Sequence, residues 1–367
     1  MEQNKRVLVS GASFAGLTTA YWMNNLGYKV TVVETGNHLK MGGTPVDIKD
    51  SVVDIVKRMG LLEKIKANRL SLEKWEFKNS NDVTEHTFLL EQFPDNEFEI
   101  ERDVLLNMLF ELIKNNVNFI FNNSITSLQE KENYVDVIFK DGSQQTYDLV
   151  FGCDGIHSVL RKIWFGKEMD YANSLGQYFS IAIVNKLLIE ENTLHLYAEP
   201  NKSIMLNAYN GKTDVVFIFR PNEEIPYDFR NQAEQKEIVW KQMQGMNWRA
   251  SELQNELLGS QNFFFDKFCQ IKMPSWTKGR VALVGDAGYC ASPAAGMGGS
   301  LAIIGATALA DAFKKHNGNY ELAFEQYNKD LRPFIVETQA TAIEMLCKLL
   351  PRNEEEVRLR NQIGFGF

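Results

Sequence analysis

Gly11, Ser13 and Gly16 stand as G-x-S-x-x-G directly after the apolar run Arg6-Val7-Leu8-Val9-Ser10, with Ser13 where a third glycine is usual. Glycines at this spacing let a strand turn sharply into a helix and let backbone approach a pyrophosphate, which the helix amides then hold. Phe14 and Ala15 would supply two of those amides. Glu34 follows Gly16 by 18 residues and closes a second apolar run, Lys29-Val30-Thr31-Val32-Val33. A carboxylate there accepts hydrogen bonds from an unphosphorylated ribose, which favours FAD or NAD over NADP. Two more carboxylates end later strands, in Asp154-Gly155 and in Gly285-Asp286. After the second comes a small-residue loop carrying Pro293, Gly296, Gly298, Gly299 and Ser300, and then a long apolar helix.

These residues need elements to hold them. Strand, tight turn, helix and strand within the first thirty-five residues make one βαβ unit. The runs before Asp154 and Asp286 read as further strands of the same sheet. From Tyr178 the texture changes: apolar runs at 178–184, 193–197, 203–208 and 214–219, separated by polar turns, predict an antiparallel sheet with one face over a pocket. The face bearing Val215, Phe217 and Phe219 is either sheet core, the commoner outcome, or pocket wall; on the second reading Tyr178, Phe217, Phe219 and Arg220 are the substrate contacts, with Phe263-Phe264-Phe265 as further aromatic candidates. Tyr320 to Leu350 has a helical pattern interrupted at Arg332-Pro333, suited to bridging two domains.

Composition narrows the classes. At 367 residues the chain has room for two domains of ~150 residues. Its 39 basic and 47 acidic residues give a net charge of −8, which argues against nucleic acid as partner. The longest clean apolar stretch, Leu301 to Ala310, is well short of the ~18 residues of a membrane span. Four irregularly spaced cysteines support neither a zinc site nor a disulfide framework, so a reduced cytoplasmic setting and no metal are expected. His157 reads as a surface histidine and Arg161 as a solvated or salt-bridged helix residue.

With these motifs in order, the chain resembles the class A flavoprotein monooxygenases, the group that includes para-hydroxybenzoate hydroxylase. Gly11, Gly16 and Glu34 look like that family's FAD fingerprint, Asp154-Gly155 like its DG motif, and Gly285-Asp286 like its GD motif. Arg102, with Leu105 and Leu109 behind it, is similar to the family's arginine at a helix start beside the flavin. Gly43, within Gly42-Gly43-Thr44, falls where the family has a segment along the flavin. Met297 departs from the glutamine often found in the later loop.

The resemblance implies an α/β fold: a Rossmann-like FAD-binding domain (1–72, 98–170 and 271–330), an interleaved antiparallel-sheet substrate domain (73–97 and 171–270), and a C-terminal bridging helix and tail (331–367). It implies a monomeric enzyme that binds FAD, takes hydride transiently from NADPH or NADH, and uses O₂ to hydroxylate an aromatic or polyketide substrate, with no catalytic side chain beyond the flavin. Asp286 would accept from a ribityl hydroxyl, or serve merely as a helix cap. Gly42-Gly43-Thr44, Asp154-Gly155-Ile156-His157-Ser158 and the run Lys272 to Arg280 look most like the tetracycline-inactivating members. Two other readings stay open: a flavin reductase or dehydrogenase without oxygen insertion, and a non-enzymatic FAD- or drug-binding protein. A halogenase is disfavoured, because no W-x-W-x-I-P signature occurs.

Overall fold

A computed structural model describes residues 5–90 and 97–365. Parts of three predicted segments therefore lie outside the described residues: 1–4, 91–96 within 73–97, and the last two of the tail. The first sheet has six strands in the order Thr277–Lys278, Val281–Leu283, Leu149–Gly152, Arg6–Ser10, Lys29–Val33, Asn118–Ile120. All pairs are parallel except that of Thr277–Lys278. Four of the five residues in Arg6–Ser10 are buried, as expected for a strand covered on both faces. The order turns around that first strand, so the crevice at the carboxyl ends of neighbouring strands opens there. The glycine turn, Asp154 and Asp286 each follow one of three adjacent strands. That topology is what brings them together.

The helix Phe14–Asn25 is buried along most of its length and packs against Gly298–Lys315, with the Trp22 indole donating to the Thr307 hydroxyl at 2.9 Å. A three-stranded antiparallel sheet, Ile125–Glu130, Val135–Phe139 and Gln144–Tyr147, completes the nucleotide half.

The second large sheet runs Asn262–Ile271, Ala172–Val184, Lys212–Phe219, Lys202–Tyr209, Thr193–Glu199, Lys74–Lys78, Thr84–Leu89. Its last two strands come from far earlier in the chain. One face carries Tyr178, Phe217, Phe219 and Phe265, packed with Val239, Met243, Leu253 and Leu257 of the helices Gln232–Met243 and Ala250–Gly259. The other face carries Phe179, Val216, Ile218 and Phe268, which meet Ala294, Leu346 and Leu350.

The expected interruption at Arg332-Pro333 is corrected: Tyr320–Leu349 is one helix through Pro333, starting before the predicted boundary at 331, and a further helix spans Glu354–Ile363. Packing offsets the bond that Pro333 cannot make. Arg332 donates to the Met273 and Pro274 carbonyls at 3.0 Å each and lies 4.3 Å from the Trp276 ring centre. Gln339 ties the same helix to the Ile271 and Cys290 carbonyls at 2.9 and 3.1 Å. Among the described residues no helix is long and apolar enough to cross a membrane.

Candidate active site

The glycine turn is fixed by close backbone packing. The Gly11 amide donates to the Val33 carbonyl at 2.8 Å, and Gly11 has φ +104°, a conformation that disfavours side chains. A Cβ on Gly16 would fall 1.8 Å from the Gly11 carbonyl oxygen. Ser13 begins Phe14–Asn25 without a side-chain cap, so the first-turn amides, including those of Phe14 and Ala15, are left for another acceptor. Glu34 supports the turn from the next strand: one oxygen accepts from the Ala12 amide at 2.8 Å, the other from the Gly36 amide at 2.9 Å.

Arg102 closes the cradle. Its guanidinium donates to the Lys40 and Gly42 carbonyls at 3.0 and 2.8 Å and to the Ser13 hydroxyl at 3.2 Å, and it lies 5.3 Å from the Phe14 ring centre. Gly43, at φ +110°, must be glycine here, because a Cβ would sit 2.6 Å from Arg102 Cδ.

Asp154 has its carboxylate committed within the protein. One oxygen accepts from the Ser158 hydroxyl at 2.5 Å and the other from the Leu160 amide at 3.0 Å. It thus anchors the short helix Val159–Trp164 at the mouth of the crevice. Arg161 in that helix is fully buried and lies 3.5 Å from the Glu168 carboxylate, so of the two expectations the salt-bridged residue holds and the solvated one does not. It donates to the Ile156 carbonyl at 2.5 Å and the Ala287 carbonyl at 2.8 Å, tying the Asp154 loop to the Asp286 turn. Sequence reasoning missed this tie because the two turns lie over a hundred residues apart.

Asp286 differs. Burial pushes its carboxyl up to about 6, and only the Cys290 thiol opposes this. No backbone amide or hydroxyl among the described residues donates to it. Beyond it, Ser292 and Gly296 take positive φ (+88° and +65°), and Pro293, Gly296 and Gly298 are exposed, with Ala295, Met297 and Gly299 half-buried between and beside them. Met297 begins Gly298–Lys315 without a side-chain cap, leaving a second set of free amides at a positive helix end. Ser300 donates to the Asp47 carbonyl at 2.6 Å, and Gly299 lets the helix approach Val46 and Phe14. Two uncapped helix starts, an under-satisfied carboxylate and an exposed glycine strip share one crevice. The set fits FAD: the free amides of Phe14–Asn25 would hold a pyrophosphate, Asp286 would accept from a ribityl hydroxyl, and the glycine strip would leave room for the ring.

Of the two readings of the Phe face, the structure shows sheet core, which corrects Tyr178, Phe217 and Phe219 as substrate contacts. Tyr178, Phe217 and Phe219 stack on one another at 5.2 to 5.5 Å under the two covering helices, on the face turned away from this loop. Strand residues alternate, so the face packed on Ala294 presents Phe179, Val216 and Ile218. Arg220 is on that face and remains a candidate. It donates to Asn201 Oδ1 at 2.6 Å, while its Nη2 is buried without a partner.

His157 is not a simple surface residue. It lies between Glu168 (3.0 Å) and Asp266 (3.2 Å) and stacks on Phe229 at 4.3 Å, joining the Asp154 loop to the second sheet. Burial opposes its protonation, but the bonds to Asp266 and Glu168 prevail and raise it to about 9. That is above the ~6.5 of a free histidine, so its contribution is complete below about 6.5 and fades as pH rises through about 9. We expect about 2 kcal/mol of pH-dependent stability over that window, read as a falling thermal midpoint, and a flatter profile in His157→Gln.

Comparison with known proteins agrees with this geometry. The chain belongs to the FAD-binding domain family, which matches residues 4–337. Within it the chain is a flavin-dependent monooxygenase. It is 36% identical over 360 residues to the flavin-dependent monooxygenase of Legionella longbeachae, covering 96% of this chain and 92% of that protein. It superposes on the tetracycline destructase Tet(51) with a TM-score of 0.87 at 34% identity, covering 97% of this chain and 94% of that one. For Tet(55) the TM-score is 0.87 at 31% identity, with 100% and 96% covered.

Proposed function

We propose that this enzyme takes hydride from NADPH or NADH and, with O₂, hydroxylates an aromatic polyketide, tetracycline being the leading candidate. The observation that carries this reading is the likeness to two tetracycline destructases over at least 97% of the chain, which includes the substrate-covering sheet as well as the nucleotide half. FAD, when bound, supplies hydride acceptance and oxygen activation. The chain's own part is binding, orientation and polarity. The free amides that begin Gly298–Lys315 would stabilise negative charge on a ring lying along the strip. The face bearing Phe179, Val216 and Ile218 would exclude water above it, in place of the Tyr178, Phe217 and Phe219 set. With no second glycine fingerprint in the sequence, NAD(P)H would dock transiently. The same reading keeps the protein monomeric and cytoplasmic.

Purified flavin-loaded enzyme should bleach on anaerobic addition of NADPH. In air, with tetracycline, it should yield a product heavier by one oxygen atom in mass spectrometry. Bleaching with an unchanged tetracycline mass would remove that substrate; flavin that cannot be reduced by either nicotinamide would remove the mechanism.

A further inference from the structure

Of the three phenylalanines in Phe263-Phe264-Phe265, the first and third belong to the core under the covering helices. Phe264 points to the other face of the sheet, as strand alternation requires, and is 41% exposed. Ile181 lies opposite it on the neighbouring strand, and one step along that face Ile183 lies opposite Asn262. The Phe264 ring is 5.6 Å from that of Phe179, which is 4.7 Å from Phe268. Phe179 and Phe268 pack with Ala294, beside the glycine strip. An aromatic row therefore runs from the loop that would carry the flavin ring out to a ring that a ligand can reach.

The segment that Arg102 ties to the nucleotide cradle meets this end of the sheet. A Cβ on Gly42 would stand 3.9 Å from Asn262 Oδ1 and 4.0 Å from Ile183 Cδ1. The segment is pinned through its backbone: Arg102 takes the Lys40 and Gly42 carbonyls, and the Gly42 amide donates to Asp103 Oδ1 at 2.7 Å. So placed, Lys40 holds its ammonium 5.9 Å from the centre of the Phe264 ring. That ammonium is exposed and pairs with no carboxylate among the described residues. The ligand class follows from these two groups. An exposed aromatic face offers stacking area to a planar ring. An unpaired cation beside it attracts an anionic oxygen on that ring's edge and repels an ammonium. We propose that Phe264 and Lys40 are specificity-determining contacts, Phe264 stacking on the substrate ring and Lys40 pairing with its acidic oxygen, so that the enzyme selects planar rings bearing an enolate, phenolate or carboxylate over neutral ones. Calling that ring the substrate rests on the hydroxylation proposed above; the ring-and-anion site does not.

Calorimetric titration of the flavin-loaded enzyme with benzoate tests the site itself, with benzyl alcohol as the neutral ring and cyclohexanecarboxylate as the non-aromatic anion. Benzoate should bind more tightly than either control. Phe264→Leu, which keeps apolar bulk but removes the ring, should weaken benzoate by ~10-fold, and Phe264→Tyr should restore it. Lys40→Gln should weaken benzoate by ~3-fold without moving the alcohol, and Lys40→Arg should restore it. Both positions are exposed, so thermal midpoints should stay near wild type, and FAD affinity of stripped protein should be unchanged in all four variants. Benzoate binding no tighter than its controls, or unchanged in Phe264→Leu or in Lys40→Gln, refutes the site, whatever tetracycline does. A fall in FAD affinity would assign the pair to the cofactor and overturn the proposal. In turnover of tetracycline, Phe264→Leu should raise KM and leave kcat in place; an unchanged KM overturns the substrate assignment. If benzoate binds through both residues while tetracycline is neither bound nor oxidised by the wild type, the site stands and the polyketide reading falls.

Discussion

Gly16→Ala should be recovered colourless. The added methyl would fall 1.8 Å from the Gly11 carbonyl oxygen and 3.5 Å from Cys153 Cβ, so the helix must retreat from the strand it follows. Neither contact is the far end of a flexible side chain that could step aside. The retreat moves the first-turn amides of Phe14–Asn25, which are the groups free to hold a pyrophosphate. It also disturbs the Ala12 amide on which Glu34 closes at 2.8 Å. The expected cost is about 3 kcal/mol or more of stability, together with loss of bound flavin. Thermal unfolding and the ratio of flavin to protein absorbance measure the two effects. Gly27→Ala is the control. Gly27 has φ +90° but nothing within 4 Å of an added Cβ, so the change should cost only ~1 kcal/mol and leave the flavin bound. A yellow, stable Gly16→Ala would mean that the turn tolerates what its geometry forbids.

The nucleotide half was legible in the sequence because its chemistry restricts residue type at fixed local spacing. A turn at Gly11 that donates to Val33 and admits a helix at Gly16 has almost no alternative residues, and strands buried on both faces are continuous apolar runs. The sheet of the other half was legible as strands, but not as to which face meets the site. Val215, Phe217 and Phe219 alternate with Val216, Ile218 and Arg220, and both sets are apolar enough for a core. Aromatic content suggested the first set; the two covering helices, which no local pattern ties to that face, claimed it. The strands Lys74–Lys78 and Thr84–Leu89 pair with each other, and the first joins the large sheet at Thr193–Glu199, more than a hundred residues on; the resemblance, not a local pattern, put 73–97 in this half. His157 was misread, and the burial of the salt-bridged Arg161 went unseen, because Asp266 and Ala287, which hold them, come from distant segments.

Asp286→Asn should move the stability of flavin-free and flavin-loaded protein in opposite directions. In the flavin-free protein the carboxyl is half-buried with only the Cys290 thiol in support, and burial raises it to about 6. An amide of the same shape carries no charge to desolvate, so flavin-free Asp286→Asn should melt at or above the wild-type temperature. In the loaded protein, on the reading proposed above, the carboxylate would accept from a ribityl hydroxyl, a charge-assisted bond that an amide oxygen replaces only weakly. FAD affinity should then fall by ~10-fold or more, which corresponds to about 1.4 kcal/mol, as read by flavin fluorescence titration of stripped protein. A residue serving merely to cap Asp286–Tyr289 predicts the reverse: loss of a negative charge at a helix start would lower flavin-free stability and leave FAD affinity unchanged. The opposed signs therefore separate a carboxylate kept for the cofactor from one kept for the fold.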